Sequence, residues 1–374
     1  MGVLQAAIAA QPLTSAIGVL ASLGLLYLLR SPALPSRDII IPPQEDRVLL
    51  LGASSGVGRD LAIAYAKRGA YICLVARRKE SLETVRRECI AVGAKEDKIL
   101  VVPANITSAE DLLRVRATVI REWKRLDTLH VLAGVPSTLP LLQIAGVALS
   151  PSPDSTKLHF NVDGQAPLGD MPNFDGLAKV AEETRACAEI NYVGTVLALA
   201  CFLPLLATTS AAPALHHLSS VAATVPAPCR TIYASSKAAA LMAVESCRVE
   251  CEGCGVRFFS LLPGTIANDF RTKSASSETG GRDETRLDID QPWEKLLLSP
   301  ERVVKTILHH LSLNPHPQPL IPYPPFSLFR ALDQPPKHLV HLPWQYRFAM
   351  FVRDTPLGWG YIEPQARRKY GLRP

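Results

Sequence analysis

The chain has 374 residues, of which 48% are hydrophobic and 20% charged, so it is long and apolar enough for a substantial buried core. Lys and Arg number 40 and Asp and Glu 34, which gives a formal net charge of +6 at pH 7. The basic residues show no clustering of the kind that binds nucleic acid, and no nucleic-acid partner is expected. Eight cysteines are scattered along the chain without the spacing of a disulfide framework, which favours a reducing compartment.

The first 29 residues carry no charged side chain and predict a membrane anchor. Residues 8–29 are mostly apolar, and a helix of about 20 such residues spans a bilayer core. The alternatives are a cleaved signal peptide, which would want a positive segment before the apolar run, and a peripheral helix. Arg30 and Arg37 follow the span, and positive residues tend to stay on the cytosolic side. Residues 1–37 are therefore expected to be a single-pass anchor and linker, with membrane lipid as a partner and the rest of the chain in the cytosol.

Residues 47–61 read RVLLLGASSGVGRDL and predict a strand, a tight turn and a helix. The apolar run 48–51 reaches the first glycine, and a helical pattern over residues 59–68 follows the last. Glycines at such a turn let the backbone approach a phosphate, and the helix N-terminus offers free N–H groups and a positive dipole. The spacing G-x-x-x-G-x-G therefore predicts a dinucleotide-binding turn, with a glycine-rich loop without a ligand as the alternative. The predicted contacts come from Gly52, Ser54, Ser55, Gly56, Val57 and Gly58.

The second predicted strand, residues 71–75, indicates which dinucleotide is bound. In NAD enzymes of this architecture an acidic residue at the strand end bonds the ribose 2′-hydroxyl, but here Arg77 and Arg78 follow and the nearest acid is Glu80. A guanidinium just past the strand suits the 2′-phosphate of NADP(H) by charge and by fork geometry. We therefore predict NADP(H) as the cofactor, bound by Arg77 with Arg78 in support. Two solvated arginines at a turn are the alternative.

The stretch HHLSSVAATVPAPCRTIYASSK contains a hydroxyl, a phenol and an ammonium at a spacing that would let them meet around one carbonyl group. Tyr233 and Lys237 are four residues apart, so on a helix they share a face. A nearby ammonium favours the phenolate and lowers the phenol pKa from its reference value of about 10. The phenol could then exchange a proton with a substrate oxygen while Ser220 hydrogen-bonds that oxygen. Taken alone, Y-x-x-x-K also arises by chance.

Together, the glycine turn, the serine and a Y-x-x-x-K about 180 residues downstream resemble the short-chain dehydrogenase/reductase family over roughly residues 46–313. Two further landmarks, INYVGT and SLLPGTI, fall in the family's order. The resemblance implies a catalytic tetrad of Asn191, Ser220, Tyr233 and Lys237, in which Asn191 holds a relay water and Lys237 also binds the nicotinamide ribose. It further implies cofactor contacts from Tyr233, Lys237, Pro263 and Gly264.

Strand-like runs near residues 48, 72, 100, 129, 215 and 256 alternate with helical stretches. This alternation predicts an α/β fold with a doubly wound parallel sheet of the Rossmann type, preceded by the transmembrane helix. Residues 38–319 are expected to form the NADP-binding domain, and residues 320–374 an aromatic and Pro-rich extension. The resemblance also implies a possible homodimer that pairs through the helices carrying Asn191 and Tyr233.

Two landmarks depart from the family pattern. Asn105 stands where the family usually has an Asp that contacts adenine, and an amide can make similar contacts. The usual Asn-Asn-Ala-Gly reads Val131-Leu132-Ala133-Gly134, which keeps the two small residues beside the cofactor but loses both amides. Because the resemblance gives those amides a largely structural role, activity is expected to persist. Their loss nevertheless motivates an alternative, a non-catalytic NADP-binding membrane adaptor.

Four further segments lie outside these motifs. An insertion at about residues 136–182 is rich in Pro, Ser, Asp and Gly and predicts a surface excursion or a flap over the substrate. Residues 268–290 are polar and predict a mobile lid or a loop without that role, and residues 299–311 predict a helix. The aromatic segment from residue 320 suits a membrane interface, the rim of an apolar entrance, or a tail packed on the domain.

Anchored members of the family, such as microsomal hydroxysteroid dehydrogenases and 3-ketosphinganine reductases, act on lipophilic alcohols or ketones. The resemblance thus implies an NADPH-dependent oxidoreductase at the endoplasmic reticulum, acting on a lipid, sterol or long-chain ketone. A 3-ketosphinganine reductase of sphingolipid synthesis is the narrower alternative, favoured by the segment YICLVARR. Cys251 and Cys254, with Cys247 one turn earlier, could suggest a metal, but zinc would want a fourth ligand, so reduced thiols and no metal are expected.

Overall fold

The computed structural model describes residues 36–147, 149–151, 158–160, 171–268, 270, 297–313 and 338–353, with four isolated positions, 18, 22, 355 and 360. Its strands are β1 (Arg47–Leu51), β2 (Tyr71–Ala76), β3 (Ile99–Pro103), β4 (Thr128–Val131), β5 (Leu149–Pro151), β6 (Leu158–Phe160), β7 (Ala214–Leu218), β8 (Arg257–Pro263) and β9 (Leu339–Leu342). Its helices are α1 (Arg37–Ile40), α2 (Gly56–Lys67), α3 (Lys79–Ala91), α4 (Ala109–Trp123), α5 (Leu141–Ile144), α6 (Phe174–Ala188), α7 (Gly194–Thr209), α8 (Thr231–Glu250), α9 (Pro300–Ser312) and α10 (Gln345–Val352), with a π-helical turn, Glu189–Val193, between α6 and α7.

The described strands form a parallel sheet in the order β3-β2-β1-β4-β7-β8-β9, and β5 and β6 pair as an antiparallel hairpin. The predicted α/β fold with a doubly wound, Rossmann-type sheet is therefore confirmed. Val48 and Leu50 face a layer that contains α2, α3 and α9, whereas Leu49 and Leu51 face α4, α7 and α8. Because both faces of β1 are covered, its residues 48–51 are apolar and buried, as the sequence predicted, whereas Arg47 at its start is half-buried.

The edge strand β9 was not among the six predicted strands. It pairs with β8 in parallel, from Ser260 opposite Leu339 to Pro263 opposite Leu342. The four-residue run is too short to give a periodic signal, and prolines surround it in the sequence. The sheet thus takes a strand from the segment that the sequence assigned to an aromatic extension. Of the alternatives for that segment, residues 338–353 show packing on the domain.

Within the described residues, one helical stretch, Phe174–Thr209, is long and apolar enough to cross a membrane by composition. It comprises α6, the π turn and α7, and 56% of its most apolar window is buried inside the protein. Phe202 and Leu206 of this stretch are fully buried in the core, so its apolar character serves internal packing. The predicted N-terminal span lies outside the described residues except for positions 18 and 22.

Arg37, which the sequence counted as a positive residue flanking the span, is buried at the amino ends of the strands. Its guanidinium donates to both carboxylate oxygens of Asp46, at 3.0 and 3.1 Å, and to Thr128 Oγ1 at 2.8 Å. It also donates to the carbonyl oxygen of Ala212 at 2.9 Å. Its charge is therefore neutralised inside the domain. The prediction that Arg37 is a flanking positive charge favouring a cytosolic orientation was wrong.

Part of the predicted insertion builds core, which corrects its interpretation as surface alone. Residues 136–138 are buried, and Gly176 of α6 packs so closely on α5 that a Cβ there would lie 2.1 Å from the carbonyl oxygen of Ala145. Ile144, together with Cys187 and Ile232, forms a small third hydrophobic cluster. These apolar contacts connect the segment to α8. They could not be predicted from the sequence, because most of the segment is polar.

Buried histidines form the polar part of the core under α2. Tyr65 Oη lies 3.0 Å from His130 Nε2, and His130 Nδ1 lies 2.9 Å from His216 Nδ1 on the neighbouring strand. Burial lowers the pKa of His130 to about 3 and holds the pKa of His216 well below its usual range. His217, on the opposite face of β7, is also buried with its pKa well below the usual range. All three imidazoles are therefore neutral in the folded protein.

We predict that acid weakens this fold, because these histidines gain protons only when the chain unfolds. A histidine with a depressed folded pKa contributes stability that is complete above the unfolded pKa and is lost as pH falls toward the folded one. For His130 the loss between pH 7.5 and pH 5 is about 2 kcal/mol, measurable by urea denaturation of the full chain in detergent. His130→Gln should flatten the pH dependence, whereas His309→Gln, at an exposed position, should preserve it. Equal slopes in the two variants would contradict this origin.

Candidate active site

The glycine turn between β1 and α2 is built from backbone atoms in very close approach. Gly52 and Gly56 have φ values of +107° and +55°, in the region that side chains other than glycine rarely adopt. A Cβ on Gly52 would lie 2.6 Å from the backbone nitrogen of Ala133, and one on Gly58 would lie 2.1 Å from the carbonyl oxygen of Gly52. These glycines are therefore required by the fold itself. Residues 56–58 at the start of α2 line the adjoining cavity, and the first N–H groups of a helix have no partner within the helix.

A cavity of about 1460 Å³ lies at the carboxyl ends of the strands. It exceeds the roughly 300–1,000 Å³ that suits one small ligand, so it has room for a dinucleotide and a second molecule. Asn191 is the one predicted site residue that does not line it, because it is fully buried behind the wall. The predicted residues that line it are Gly52, Ser54, Ser55, Gly56, Val57, Gly58, Arg77, Arg78, Asn105, Ala133, Gly134, Ser220, Tyr233, Lys237, Pro263 and Gly264.

Lys237 is a buried ammonium at the wall of this cavity. It lies one turn after Tyr233 on α8, and its Nζ donates to the carbonyl oxygen of Leu218 at 3.1 Å. Burial lowers the pKa of Lys237 to about 8. Tyr233 and Lys237 thus line the same cavity from one face of α8.

Ser220 begins the short 3-10 turn Val221–Ala223 that follows β7. Its Oγ accepts a hydrogen bond from the backbone nitrogen of Ala222 at 3.2 Å, which fixes the side chain at the cavity wall. The ring of Tyr233 meets the edge of Phe270, with centroids 6.1 Å apart. Phe270 belongs to the predicted lid, most of which lies outside the described residues. It places an aromatic wall beside the phenol.

Asn191 sits on the π-helical turn between α6 and α7. Its Oδ1 accepts from the backbone nitrogen of Val135 at 2.8 Å, and its Nδ2 donates to the carbonyl oxygen of Val135 at 3.0 Å and to Ser236 Oγ at 2.9 Å. Ser236 in turn donates to the carbonyl oxygen of Tyr233 at 2.7 Å. The amide therefore holds the segment after β4 against α8. The extra residue of a π turn commonly marks a functional position in a helix.

Gly134 connects these parts. A Cβ at this position would lie 3.0 Å from Asn191 Oδ1 and 3.2 Å from Lys237 Nζ, closer than ordinary contact. The glycine therefore permits the amide and the ammonium to approach the end of β4 together.

The two amides missing after β4 are replaced by apolar packing. Val131 and Leu132 are buried in the hydrophobic clusters on opposite faces of the sheet. The backbone nitrogens of Leu132 and Ala133 both donate to the carbonyl oxygen of Leu51 at 2.9 Å. The main chain beside the glycine turn is thus held without either amide.

The part of the cavity beside the end of β2 contains several cationic groups. Arg77 and Arg78 are exposed at the end of β2. Arg59 also lines the cavity, but its guanidinium forms two hydrogen bonds of 2.7 and 2.8 Å to Glu88, so its charge is largely neutralised. Asn105 is held in a turn, where its Oδ1 accepts from the backbone nitrogen of Thr107 at 3.3 Å.

Sequence reasoning missed Ser236, Phe270 and Tyr346. Ser236 carries no motif of its own, and only its position three residues after the tyrosine places it near Asn191. Tyr346 comes from the unpredicted C-terminal packing, where a Cβ on Gly264 would lie 2.9 Å from its ring. Long-range contacts of this kind leave no local pattern in the sequence.

No group of three or more His, Cys, Asp or Glu side chains suited to a metal occurs in the part of the chain that the structure describes. All eight cysteines fall within that part, and all are free thiols. Cys247 and Cys251 have sulfur atoms 3.9 Å apart at the end of α8.

A doubly wound sheet with a glycine turn, and with Ser, Tyr and Lys converging on the same cavity, defines a class of nicotinamide-dependent oxidoreductases. The residues present fit a dinucleotide, because the glycine turn, the start of α2 and the exposed Arg77 and Arg78 line one cavity large enough to hold it. The sequence profile of the short chain dehydrogenase family matches residues 46–149 and 171–279. The chain belongs to the short-chain dehydrogenase/reductase family. The unmatched residues 150–170 fall within the predicted insertion.

Several plant relatives carry hydroxysteroid dehydrogenase names. The chain is 28% identical over 233 residues to 11-beta-hydroxysteroid dehydrogenase-like 3 of Arabidopsis thaliana, covering 62% of this chain and 63% of the relative. It is 38% identical over 100 residues to 11-beta-hydroxysteroid dehydrogenase A of Sesamum indicum, covering 27% and 28% of the two chains. The similarity thus spans 63% of the length of the first relative and 28% of the second.

Solved structures share the fold. An alcohol dehydrogenase from Thermococcus sibiricus complexed with 5-hydroxy-NADP superposes with a TM-score of 0.51 and 21% identity, covering 72% of this chain and 92% of that one. A short chain dehydrogenase from Burkholderia cenocepacia in complex with NADP gives a TM-score of 0.53 and 20% identity, covering 86% and 98%. At this identity the likeness concerns the fold alone.

Proposed function

We propose that this protein is an NADPH-dependent oxidoreductase that transfers a hydride between the nicotinamide and the carbonyl or alcohol carbon of a lipophilic substrate. The observation that carries the proposal is the buried Lys237, one helical turn from Tyr233, in a cavity that also contains Ser220 and the glycine turn. Burying an ammonium costs free energy, and a buried charge that lines a cavity with a tyrosine is typical of a catalytic site.

When bound, the cofactor supplies or accepts the hydride. The chain's residues handle the oxygen and its proton. Tyr233 exchanges the proton with the substrate oxygen, and Ser220 hydrogen-bonds that oxygen while its charge changes. Lys237 keeps the phenol acidic and binds the nicotinamide ribose. Asn191 positions α8 through Ser236 and is proposed to hold the relay water.

The preference for NADPH rests on the charges at the end of β2. Arg77 and Arg78 line the cavity and are exposed, with Arg59 already paired to Glu88. A phosphate on the ribose 2′-oxygen would accept bidentate hydrogen bonds from a guanidinium. The ordinary 2′-hydroxyl of NADH would gain much less.

A lipophilic substrate and a membrane location are supported by two observations. The relatives carry hydroxysteroid names, and residues 8–29 have the length and composition of a span. We propose a single-pass anchor in the endoplasmic reticulum with the catalytic domain in the cytosol, where eight free thiols are compatible with a reducing environment. A homodimer is supported by exposed apolar residues on the helices that would pair, among them Val196 on α7 and Met242 on α8.

Tyr233→Phe should abolish reduction of ketones in the full chain while NADPH binding, followed by cofactor fluorescence, stays within about twofold of the wild type. Loss of a general acid typically costs 10²–10⁴-fold in rate. Tyr192→Phe, at a half-exposed position outside the cavity, is the matched control and should keep wild-type turnover. The ketone panel should include steroids, long-chain ketones and 3-ketosphinganine, which separates the branches of the family. Binding of NADPH without oxidation on every ketone would favour the adaptor alternative.

Arg77→Ala should raise the KM for NADPH and leave the KM for NADH nearly unchanged. Loss of a charge-assisted hydrogen bond of about 1.5–3 kcal/mol corresponds to a change of roughly 10- to 100-fold. Arg87→Ala removes an exposed arginine from α3 that does not line the cavity, and it should change neither value. A wild type that prefers NADH would overturn the cofactor assignment.

The anchor is tested by membrane extraction. The full chain expressed in cells should remain with microsomes in alkaline carbonate and be released only by detergent, because an apolar helix does not leave the bilayer without it. Replacing Leu20 and Leu25 with Asp should release the protein. A site-specific protease acting on sealed microsomes should reach the C-terminal end of the wild type; protection from it would reverse the proposed orientation.

A further inference from the structure

The C-terminal segment, residues 338–353, lies beside the catalytic turn as well as at the edge of the sheet. Its strand β9 accepts a hydrogen bond from the backbone nitrogen of Gly264 to the carbonyl oxygen of Leu342 at 2.7 Å. Tyr346 then packs its ring on Gly264, where even a Cβ would lie too close at 2.9 Å. The segment thus rests directly on one of the residues that border the cavity.

A second set of contacts reaches Thr224, the residue that closes the turn begun by Ser220. The backbone nitrogen of Ala223 donates to the carbonyl oxygen of Ser220 at 3.0 Å, and that of Thr224 donates to Val221 at 3.0 Å. The position of Ser220 at the cavity wall therefore depends on where Thr224 is held.

Two side chains of the C-terminal segment hold Thr224. His341 Nε2 lies 3.2 Å from Thr224 Oγ1, and Arg353 Nη1 donates to the carbonyl oxygen of Thr224 at 2.9 Å. His341 is buried, whereas Arg353 is exposed. His341 belongs to β9 and Arg353 follows α10, so Thr224 is held from two directions. The contacts span 117 and 129 residues of sequence.

We propose that the C-terminal segment is a positioning element of the catalytic site, which fixes the Ser220 turn through His341 and Arg353 on Thr224. The proposal rests on the proposed function, since it concerns how Ser220 is presented to the substrate oxygen. His341 and Arg353 are positioning residues and contact no reacting atom. The glycine turn is held by separate backbone contacts, among them hydrogen bonds from the nitrogens of Gly52 and Ala53 to the carbonyl oxygen of Val75 at 2.8 and 3.0 Å.

The test uses the full chain with His341→Leu, Arg353→Met and the double variant. The double variant should lower kcat for ketone reduction about tenfold, the effect of roughly one lost hydrogen bond on an oriented group. The dissociation constant and KM for NADPH should stay unchanged, because the cofactor turn is held by other contacts. His341→Gln, which can still bond Thr224 Oγ1, should recover most of the rate.

The matched control is Arg347→Met, which removes an exposed arginine from α10 whose side chain has no hydrogen bond to Thr224 among the described contacts. It should leave kcat at the wild-type value. A loss equal to that of Arg353→Met would overturn the proposal, because charge on the helix would then be the cause.

Hydrogen exchange separates this proposal from the proposed function. Amides of residues 221–225 should exchange faster in the double variant and not in Arg347→Met. If the wild type reduces no ketone, the proposed function fails, and the exchange result still decides whether the segment fixes the turn. Unchanged exchange overturns the proposal. So does faster exchange with an unchanged kcat, or faster exchange spread over the whole sheet with weakened NADPH binding.

Discussion

The approach of two backbones at Gly52 is the constraint on which the rest of the site depends. Its Cα lies against Ala133, and Gly58 lies against the carbonyl oxygen of Gly52, with no room for a Cβ at either glycine. This contact brings the ends of β1 and β4 together and sets the start of α2 over the cavity. Gly134, three residues beyond the end of β4, then leaves space for Asn191 and Lys237. The glycine turn and the buried Lys237 ammonium therefore depend on one packing arrangement.

This arrangement explains why the missing amides do not disrupt the wall. Their positions, Val131 and Leu132, face the two hydrophobic layers, and the main chain keeps its two hydrogen bonds to Leu51. Apolar burial of side chains of this size stabilises a strand end by about 1.5–3 kcal/mol each. The end of β4 is thus held by apolar packing and main-chain hydrogen bonds where the family usually has two amides.

The sequence predicted the parts of this protein that have a short period or a short motif. The run before Gly52 gave a buried strand, and the spacing of Tyr233 and Lys237 gave one helical face, because both patterns are local. It gave no sign of β9 or of the core made by Ile144, since each depends on contacts between residues far apart in the chain. Arg37 shows the same limit. The sequence shows that this residue is charged, but it does not show that the side chain is buried against Asp46.

Because β9 comes late in the chain, it is synthesised after the other strands of the sheet. The N-terminal part of a chain emerges first from the ribosome, so β1 to β3 and the glycine turn emerge well before residues 338–353. The contacts that His341 and Arg353 make with Thr224 can therefore form only after most of the sheet has been synthesised. A chain cut short before residue 338 would keep the glycine turn but lack both contacts.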